Sequence, residues 1–547
     1  DPYHLGEMGA ALVRGVQRHI MACVKHYACN SIENSRFKVD VRVDERTLRE
    51  VYLPHFRRCV DEGVASVMSA YNKVNGTHCG HNRHLLVEIL KKEWGFPGFV
   101  ISDFVFGVRS PLAAGEGLDV EMPVTLRFGR RLRRAVQRGR VPEAAIDETV
   151  LRLLRAKLRF AGIGEPARYG QETVVSGEHV ALAREAATKS TVLLKNAPLD
   201  DGRPLLPLDP SAPGRLAVIG RLAAVANTGD HGSSQVRAPY VVTPLAGIQA
   251  AAGRAAAVDY CDGRRVEDAV RAASRADACI VVAGYSHEDE GEYMGGPFQS
   301  RGGDRRQLTL LPHEEELVQA VAAANTRTVV VLVGGSAILS EAWRQQVPAI
   351  LVAWYAGMEG GHALADLLFG RANPSGKLPC VWVRSAEHLP PFDNQAAQVE
   401  YGYFHGYRLL DQQGHEPAFA FGFGLSYTTY AYSNLELSRP AMPPDGTLTV
   451  GVDVTNTGDR AGEEVVQLYV GYPGSAVARP LRELKGFAKV KVEAGQARRV
   501  TFELPARRLA YYDVSRGAWT VEAADYVAYV GGSSRIEDLL SARFGVE

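Results

Sequence analysis

Four apolar stretches in the first third of the chain each end on side chains able to do acid–base or nucleophilic chemistry. "MACVKHY" closes on Lys25 and His26, "VASVMSAY" on Tyr71 with Asn72 after it, and "GFVISDF" on Asp103 with Phe104 after it. "GLDVEMP" carries Asp119 and Glu121. Taken singly, each of these has a plain structural reading: an Asp after a strand is commonly a helix cap or a turn residue. Their recurrence at successive strand ends is what points to a shared pocket, in which Asp103 stands with Lys25, His26 and Tyr71. In a barrel of parallel strands the carboxyl ends lie on one face, and that face carries the active site.

Those side chains need elements to position them. Residues 1–163 alternate short apolar strands with amphipathic helical patterns, among them "DERTLREVYLPHFRRCVDEG". There Asp44 is placed to cap the helix and Pro54 to kink it. Strands recurring every ~30 residues with helices between them read as βα units on a parallel sheet. A loop-rich linker, 164–175, leads to residues 176–395, where "RLAVIG", "ACIVVAG", "RTVVVLV" and "AILVAWY" are near-continuous Val/Ile/Leu runs. Such runs suit strands covered on both faces, so a layered α/β domain is expected. After a second linker, 396–432, residues 433–547 change to period-two alternation in "LTVGVDVTN", "EVVQLYVGY", "ARRVTFELP" and "DYVAYVGG". That is the pattern of a two-sheet antiparallel sandwich.

Composition narrows the classes. The 547 residues are enough for two to four domains, and hydrophobic and charged contents of 46% and 23% are those of an ordinary globular protein. Lys+Arg and Asp+Glu are equal at 62 each, and no basic tract is interleaved with aromatics, so neither nucleic acid nor an anionic membrane is an expected partner. The longest apolar run falls short of the ~20 residues of a membrane helix. Seven scattered cysteines make no C-x-x-C pair and no complete disulfide framework, and they leave the compartment open. No apolar leader follows Asp1, so a targeting signal is either absent or upstream.

Longer motifs carry a resemblance. "VKHYACNSIENSR", "VDERTLREVYLPHF", "VMSAYNKVNG", "EWGFPGFVISDF" and "GLDVEMP", then "DHGSSQVRAPYVVTPLAGI", "NPSGKLP", "FAFGFGLSYTTY" and "GEEVVQLYVGYP", resemble glycoside hydrolase family 3 in order and spacing over essentially the whole chain. The resemblance implies the C-terminal part of a (β/α)8-type barrel, then an α/β layered sandwich, then an immunoglobulin-like sandwich of the fibronectin III kind. It implies a retaining, exo-acting β-glycosidase, foremost a β-glucosidase, with a β-xylosidase or mixed-specificity enzyme as the alternative. Asp103 matches the family's nucleophile, Lys25 and His26 the pair that binds sugar hydroxyls, and Tyr71 an aromatic lining the same subsite. Phe104 stands where the family usually has Trp, which keeps a ring and loses the indole N–H.

The second carboxyl group of a glycosidase is expected, by the same resemblance, on "YSHEDEGEYMGGPFQSRGGDRRQLTL". This stretch holds Glu288, Asp289, Glu290 and Glu292 ahead of Asp304-Arg305. "EGEY" resembles the family's Glu-x-Glu-aromatic form, which puts Glu292 first as acid/base and Glu290 next; without the resemblance the stretch reads as an acidic surface loop. The expected partner is a small-molecule or oligosaccharide β-glycoside, with a homodimer as one admissible assembly, no cofactor and no metal. His78, Cys79, His81 and His84 in "THCGHNRH" fit no standard zinc spacing. "VVVLVGGSAIL" lacks the glycine pattern of a phosphate loop. Family members carry about half a barrel before the position matching Asp1, so a carbohydrate-binding but catalytically incomplete fragment, or a subunit completed by another chain, is the alternative from a different class.

Overall fold

A computed structural model describes residues 1–164, 169–209, 214–253, 256–293 and 301–547. The chain divides into two compact units. The first is Asp1–Gln171 with Phe392–Tyr403 and Ala510–Thr520; the second is Glu172–Pro391 with Phe404–Leu509 and Val521–Glu547.

In the first unit the strands are β1 (Cys23–Tyr27), β2 (Asp40–Arg42), β3 (Ser66–Ser69), β4 (Lys73–Val74), β5 (Thr77–His78) and β6 (Phe99–Ile101). β1, β3 and β6 form a parallel sheet in that order, so their carboxyl ends share one edge. The fourth expected strand, "GLDVEMP", is reduced to a single parallel bridge between Ile101 and Val120. The reason is local: the Asp119 carboxylate accepts the Val100 N–H at 2.7 Å, taking a donor that a longer ladder would use. The expected helix begins as its residues dictate, with the Asp44 side chain accepting the Thr47 N–H at 2.9 Å. It widens over Leu48–Tyr52 and restarts at Pro54, whose missing N–H breaks the intrahelical bonding there. Under these elements lies one apolar core that includes Tyr27, Leu48, Leu53, Phe56, Val67, Leu85, Ile89, Phe96 and Val100. Each large side chain buried there contributes roughly 1.5–3 kcal/mol.

The second unit is built on a six-stranded sheet. Its strands are β7 (Val192–Asn196), β8 (Gly214–Ile219), β9 (Ala256–Cys261), β10 (Ala278–Gly284), β11 (Thr328–Val333) and β12 (Ala349–Val352), in spatial order β7-β12-β11-β10-β8-β9. Only β7 is antiparallel to its neighbour. Alternate residues feed two separate cores. Ala217, Ile219, Val281 and Val330 pack with Leu317 and Val321 of the helix Pro312–Ala324. Leu216, Val218, Ile280, Val282 and Val331 pack with Ile248, Leu364 and Leu368 of the helices Pro244–Ala252 and Gly360–Leu368. The apolar runs are therefore covered on both faces. After β8 the chain crosses one face to the edge strand β9; after β10 it crosses the other face to β11. The strand order thus reverses between β8 and β10, where α/β sheets open a crevice at their carboxyl ends.

The same unit holds the β-sandwich. A three-stranded sheet (Tyr430–Leu437, Thr447–Asn456, Ala497–Pro505) faces a five-stranded one that contains Gly462–Gly471, Glu483–Val492, Asp525–Gly531 and Leu540–Val546. Val450, Val452 and Val454 from one sheet meet Val466, Leu468 and Val470 from the other. Lys377 of "NPSGKLP" ties the two layers of this unit together through an ion pair with buried Glu464 at 3.0 Å.

Candidate active site

In the first unit, β1 loses its regular register against β3 between Val24 and Tyr27, and Lys25 and His26 lie at that irregularity. Lys25 is exposed and His26 half-buried. Asp103, two residues past β6, is buried, and its Oδ2 lies 3.5 Å from His26 Nε2. Its Oδ1 accepts the N–H of the next residue, Phe104, at 2.8 Å. The loop that aims Asp103 exposes its side chains at 104–106 but is constrained along its backbone. Val105 adopts φ +63°, a left-handed conformation that a β-branched residue rarely takes and that collects at functional sites. Its N–H bonds to Met122 O at 2.9 Å. A Cβ at Gly107 would stand 2.5 Å from Asp103 O and 2.8 Å from Asp103 N, so no side chain fits under that peptide.

Tyr71 is buried and donates its hydroxyl to Phe104 O at 2.8 Å, tying the end of β3 to the loop after β6. Its ring lies 4.6 Å from Phe37, which in turn meets Phe106 edge-on at 5.4 Å. The Arg36 guanidinium lies 5.5 Å from the Tyr71 ring. Phe104 itself is 46% exposed. Lys25, His26, Tyr71, Asp103 and Phe104 thus belong to one strand-end neighbourhood. Asp119 and Glu121 serve other ends: Asp119 is buried against Lys91 at 2.8 Å, and Glu121 accepts the backbone N–H groups of Arg127 and Phe128.

In the second unit, the acidic stretch leaves the carboxyl end of β10 beside the point where strand order reverses. Ser286 caps the short turn His287–Glu290, and Asp289 completes the capping box. Glu288 pairs with Arg301 at 2.8 Å in an exposed position. Glu290 is held on both oxygens. Oε1 accepts the Tyr355 hydroxyl at 2.5 Å and the Gly335 N–H at 2.6 Å, and Oε2 lies 3.1 Å from Arg305 Nε. Burial, with the Glu290 charge beside it, pushes the Tyr355 phenol well up, so it remains a donor. Glu292 sits against a second loop, "GDHGSS": its N–H donates to Asp230 Oδ1 at 2.8 Å and its carboxylate accepts the Ser233 N–H. Hydrogen bonds from Ser234 and from the Glu292 and Gly232 N–H groups hold the Asp230 carboxyl below its usual range, against the burial that opposes them. His231 stacks on His287 at 3.7 Å, closing the two loops together. Residues 294–300 of the stretch lie outside the described residues.

The histidine-rich loop is committed to protein partners. His78 Nδ1 is 3.1 Å from Tyr71 O, the Cys79 thiol is buried on Ala28 O, His81 accepts the Arg109 N–H, and His84 pairs with Glu45 at 2.9 Å. Among the described residues no cluster of three or more His, Cys, Asp or Glu could hold a metal ion. No helix there is long and apolar enough to cross a membrane. Sequence reasoning passed over Asp230, Gly107, Gly335 and Tyr355. The roles of Asp230, Gly335 and Tyr355 arise from contacts between distant segments, for which only the "DHGSS" motif offered a local hint, whereas Gly107 acts within its own turn, against Asp103.

Comparison with known proteins adds to this geometry. Residues 1–156 match the glycosyl hydrolase family 3 N terminal domain, 191–427 the family 3 C-terminal domain, and 464–534 a fibronectin type III-like domain. The chain is 38% identical to thermostable beta-glucosidase B of Acetivibrio thermocellus over 98% of its own length and 70% of that protein's. The chain belongs to glycosyl hydrolase family 3. Among relatives it is 35% identical to an exo-alpha-(1->6)-L-arabinopyranosidase of Bifidobacterium breve, over 98% of this chain and 71% of that protein. Its fold is similar to the beta-D-glucoside glucohydrolase of Trichoderma reesei, with a TM-score of 0.89, 32% identity, and coverage of 100% of this chain and 82% of the other. Beta-glucosidase 3B of Thermotoga neapolitana, crystallised with alpha-D-glucose, gives 0.87 and 32% over 100% and 80%. In family 3 terms, residues 1–156 of the first unit belong to the barrel-type N-terminal domain. The second unit holds the α/β sandwich and the fibronectin type III-like sandwich.

Proposed function

We propose that this family 3 glycoside hydrolase is a retaining, exo-acting β-glucosidase that removes terminal non-reducing β-D-glucosyl residues by double displacement. Asp103 Oδ attacks the anomeric carbon as the bond to the leaving oxygen breaks, and Glu292 delivers its proton to that oxygen. Glu292 then takes a proton from water, which attacks the anomeric carbon and releases Asp103. Lys25 and His26 bind the sugar hydroxyls, and Tyr71 and Phe104 line the ring. The observation that carries this reading is the buried Asp103 carboxylate, seated at the carboxyl end of a parallel strand against the His26 imidazole. Glu292 is preferred over Glu290 on the "EGEY" resemblance, and because the Glu290 carboxylate is ion-paired with Arg305 and accepts from both Tyr355 and Gly335, whereas the Glu292 carboxylate accepts the Ser233 N–H.

A pentoside-preferring reading has its own support. The arabinopyranosidase relative is as similar as several β-glucosidases, and Phe104 replaces the usual Trp. Aryl β-glucoside hydrolysis followed by proton NMR tests the reaction: the β-anomer of glucose must appear first. First release of the α-anomer rules out retention. A faster rate on aryl xylosides or arabinosides replaces glucose as the substrate. Folded protein that binds sugar without turnover supports the binding-fragment alternative.

A further inference from the structure

We propose that Glu290 is the positioning residue of the acid/base loop, its carboxylate locking that loop onto the sheet and thereby setting where Glu292 stands. The inference rests on the assignment of Glu292 as the acid/base.

The Glu290 and Arg305 side chains are only 11% and 8% exposed, so their contact is shielded from water. Arg305 is itself fixed: its Nη2 donates to Ala337 O at 2.9 Å, and its guanidinium lies 4.6 Å from the ring of Tyr285, the first residue after β10. Gly335 and Tyr355 follow β11 and β12. One carboxylate therefore joins the loop, which leaves β10, to the segments leaving the adjacent parallel strands β11 and β12. The space around it is matched to its oxygen, since a Cβ at Gly335 would stand 3.3 Å from Glu290 Oε1.

The link to Glu292 is short. Two residues of extended chain span at most ~7 Å, and Gly291 between the two glutamates is fixed. Its N–H donates to His287 O at 3.0 Å, its carbonyl accepts from Gly303 at 2.7 Å, and a Cβ there would meet His287 O at 2.6 Å. Across the loop, Gly302 donates to Glu288 O at 2.8 Å. Glu290 anchors one side of Glu292, while Asp230 and Ser233 seat the other. A buried ion pair is a weak source of net stability, and here its contribution is to fix geometry. Small misplacements of a catalytic group are expensive: ~1 Å can cost 10²-fold in rate.

A double-mutant cycle between E290Q and E292A tests this, with folding checked by circular dichroism. Kinetics are read on methyl β-glucoside, a poor leaving group, and on 2,4-dinitrophenyl β-glucoside, which needs no proton. E290Q should lower kcat/KM for the methyl glycoside ~10- to 100-fold, leave the dinitrophenyl glycoside within a few-fold, and cost nothing further in the E292A background. Equal loss on both substrates, or losses that multiply in the double variant, overturns the positioning role while leaving Glu292 intact. If E292A alone turns over the methyl glycoside normally, the acid/base assignment has failed instead. Y355F, which removes one hydrogen bond and leaves the ion pair, should show the same leaving-group pattern more weakly. It decides the matter if E290Q does not fold, and unchanged kinetics in Y355F then overturn the proposal.

Discussion

His26 Nε2 stands 3.5 Å from Asp103 Oδ2, with the imidazole on β1 and the carboxylate just beyond β6, on strands that flank β3. The imidazole is close enough to orient the carboxylate, and in the proposed reaction it also binds a sugar hydroxyl. Replacing His26 by Ala should lower kcat/KM roughly 10- to 100-fold, the range of one hydrogen bond to a charged or reacting group. Unfolding midpoints should move little, because His26 is only half-buried. Steady-state kinetics paired with thermal melts separate the two effects.

The floor beneath Asp103 should be as sensitive as the carboxylate itself. Gly107→Ala places a methyl group 2.5 Å from Asp103 O, where backbone rather than a flexible side-chain end must yield. Overpacking of this kind costs about 1–3 kcal/mol, and here the displaced peptide carries the proposed nucleophile. The expected outcome is a modest drop in melting temperature with a kcat loss of at least tenfold. A variant with normal kcat would show that the Asp103 turn tolerates movement.

Much of this was legible in the sequence, for identifiable reasons. Asp44 caps its helix, and β10 and β11 are continuous apolar runs, because each of those signals is local. The alignment of His26 with Asp103 followed from parallel strands sharing an edge. β7 and the edge strand β9 escaped notice. β9 is half-covered and carries exposed Tyr260, so its pattern does not stand out from a loop. The fourth strand was overcalled because nothing in "GLDVEMP" says that the Asp119 side chain will occupy the Val100 N–H. Glu290 is the instructive case. Its binding partners lie 45 and 65 residues away at Gly335 and Tyr355, so a fixed carboxylate and a reactive one read alike along the chain.

The Lys91–Asp119 pair should be a stability element of the first unit. Asp119 also accepts from Val100 N and Thr149 Oγ1, and both charged side chains are nearly excluded from water. Removing one member strands the other, which costs about 3–5 kcal/mol. Chemical denaturation of Asp119→Asn should show a loss of that order. A change below 1 kcal/mol would mean that the pair is dispensable.

Glu314 gives the second unit a pH signature. It is buried, accepts the Gly284 N–H at 2.9 Å and has its pKa raised to about 7, chiefly by burial. A carboxyl whose folded pKa lies above its unfolded value contributes its stability below the unfolded pKa. That contribution fades as pH rises through about 7. The shift corresponds to about 3 kcal/mol across that window. Glu314→Gln should therefore flatten the decline in stability between pH 5 and 8, leaving the variant relatively more stable at pH 8. Parallel denaturation curves for both proteins across that range would contradict the assignment.

Trapping the covalent intermediate bears most directly on the chemistry. Incubation with 2,4-dinitrophenyl 2-deoxy-2-fluoro-β-glucoside, followed by proteolysis and mass spectrometry, should find one fluoroglucosyl group on the peptide containing "GFVISDF", esterified to Asp103. A label on any other carboxylate, or folded and active protein that takes up no label, would contradict Asp103 as the nucleophile.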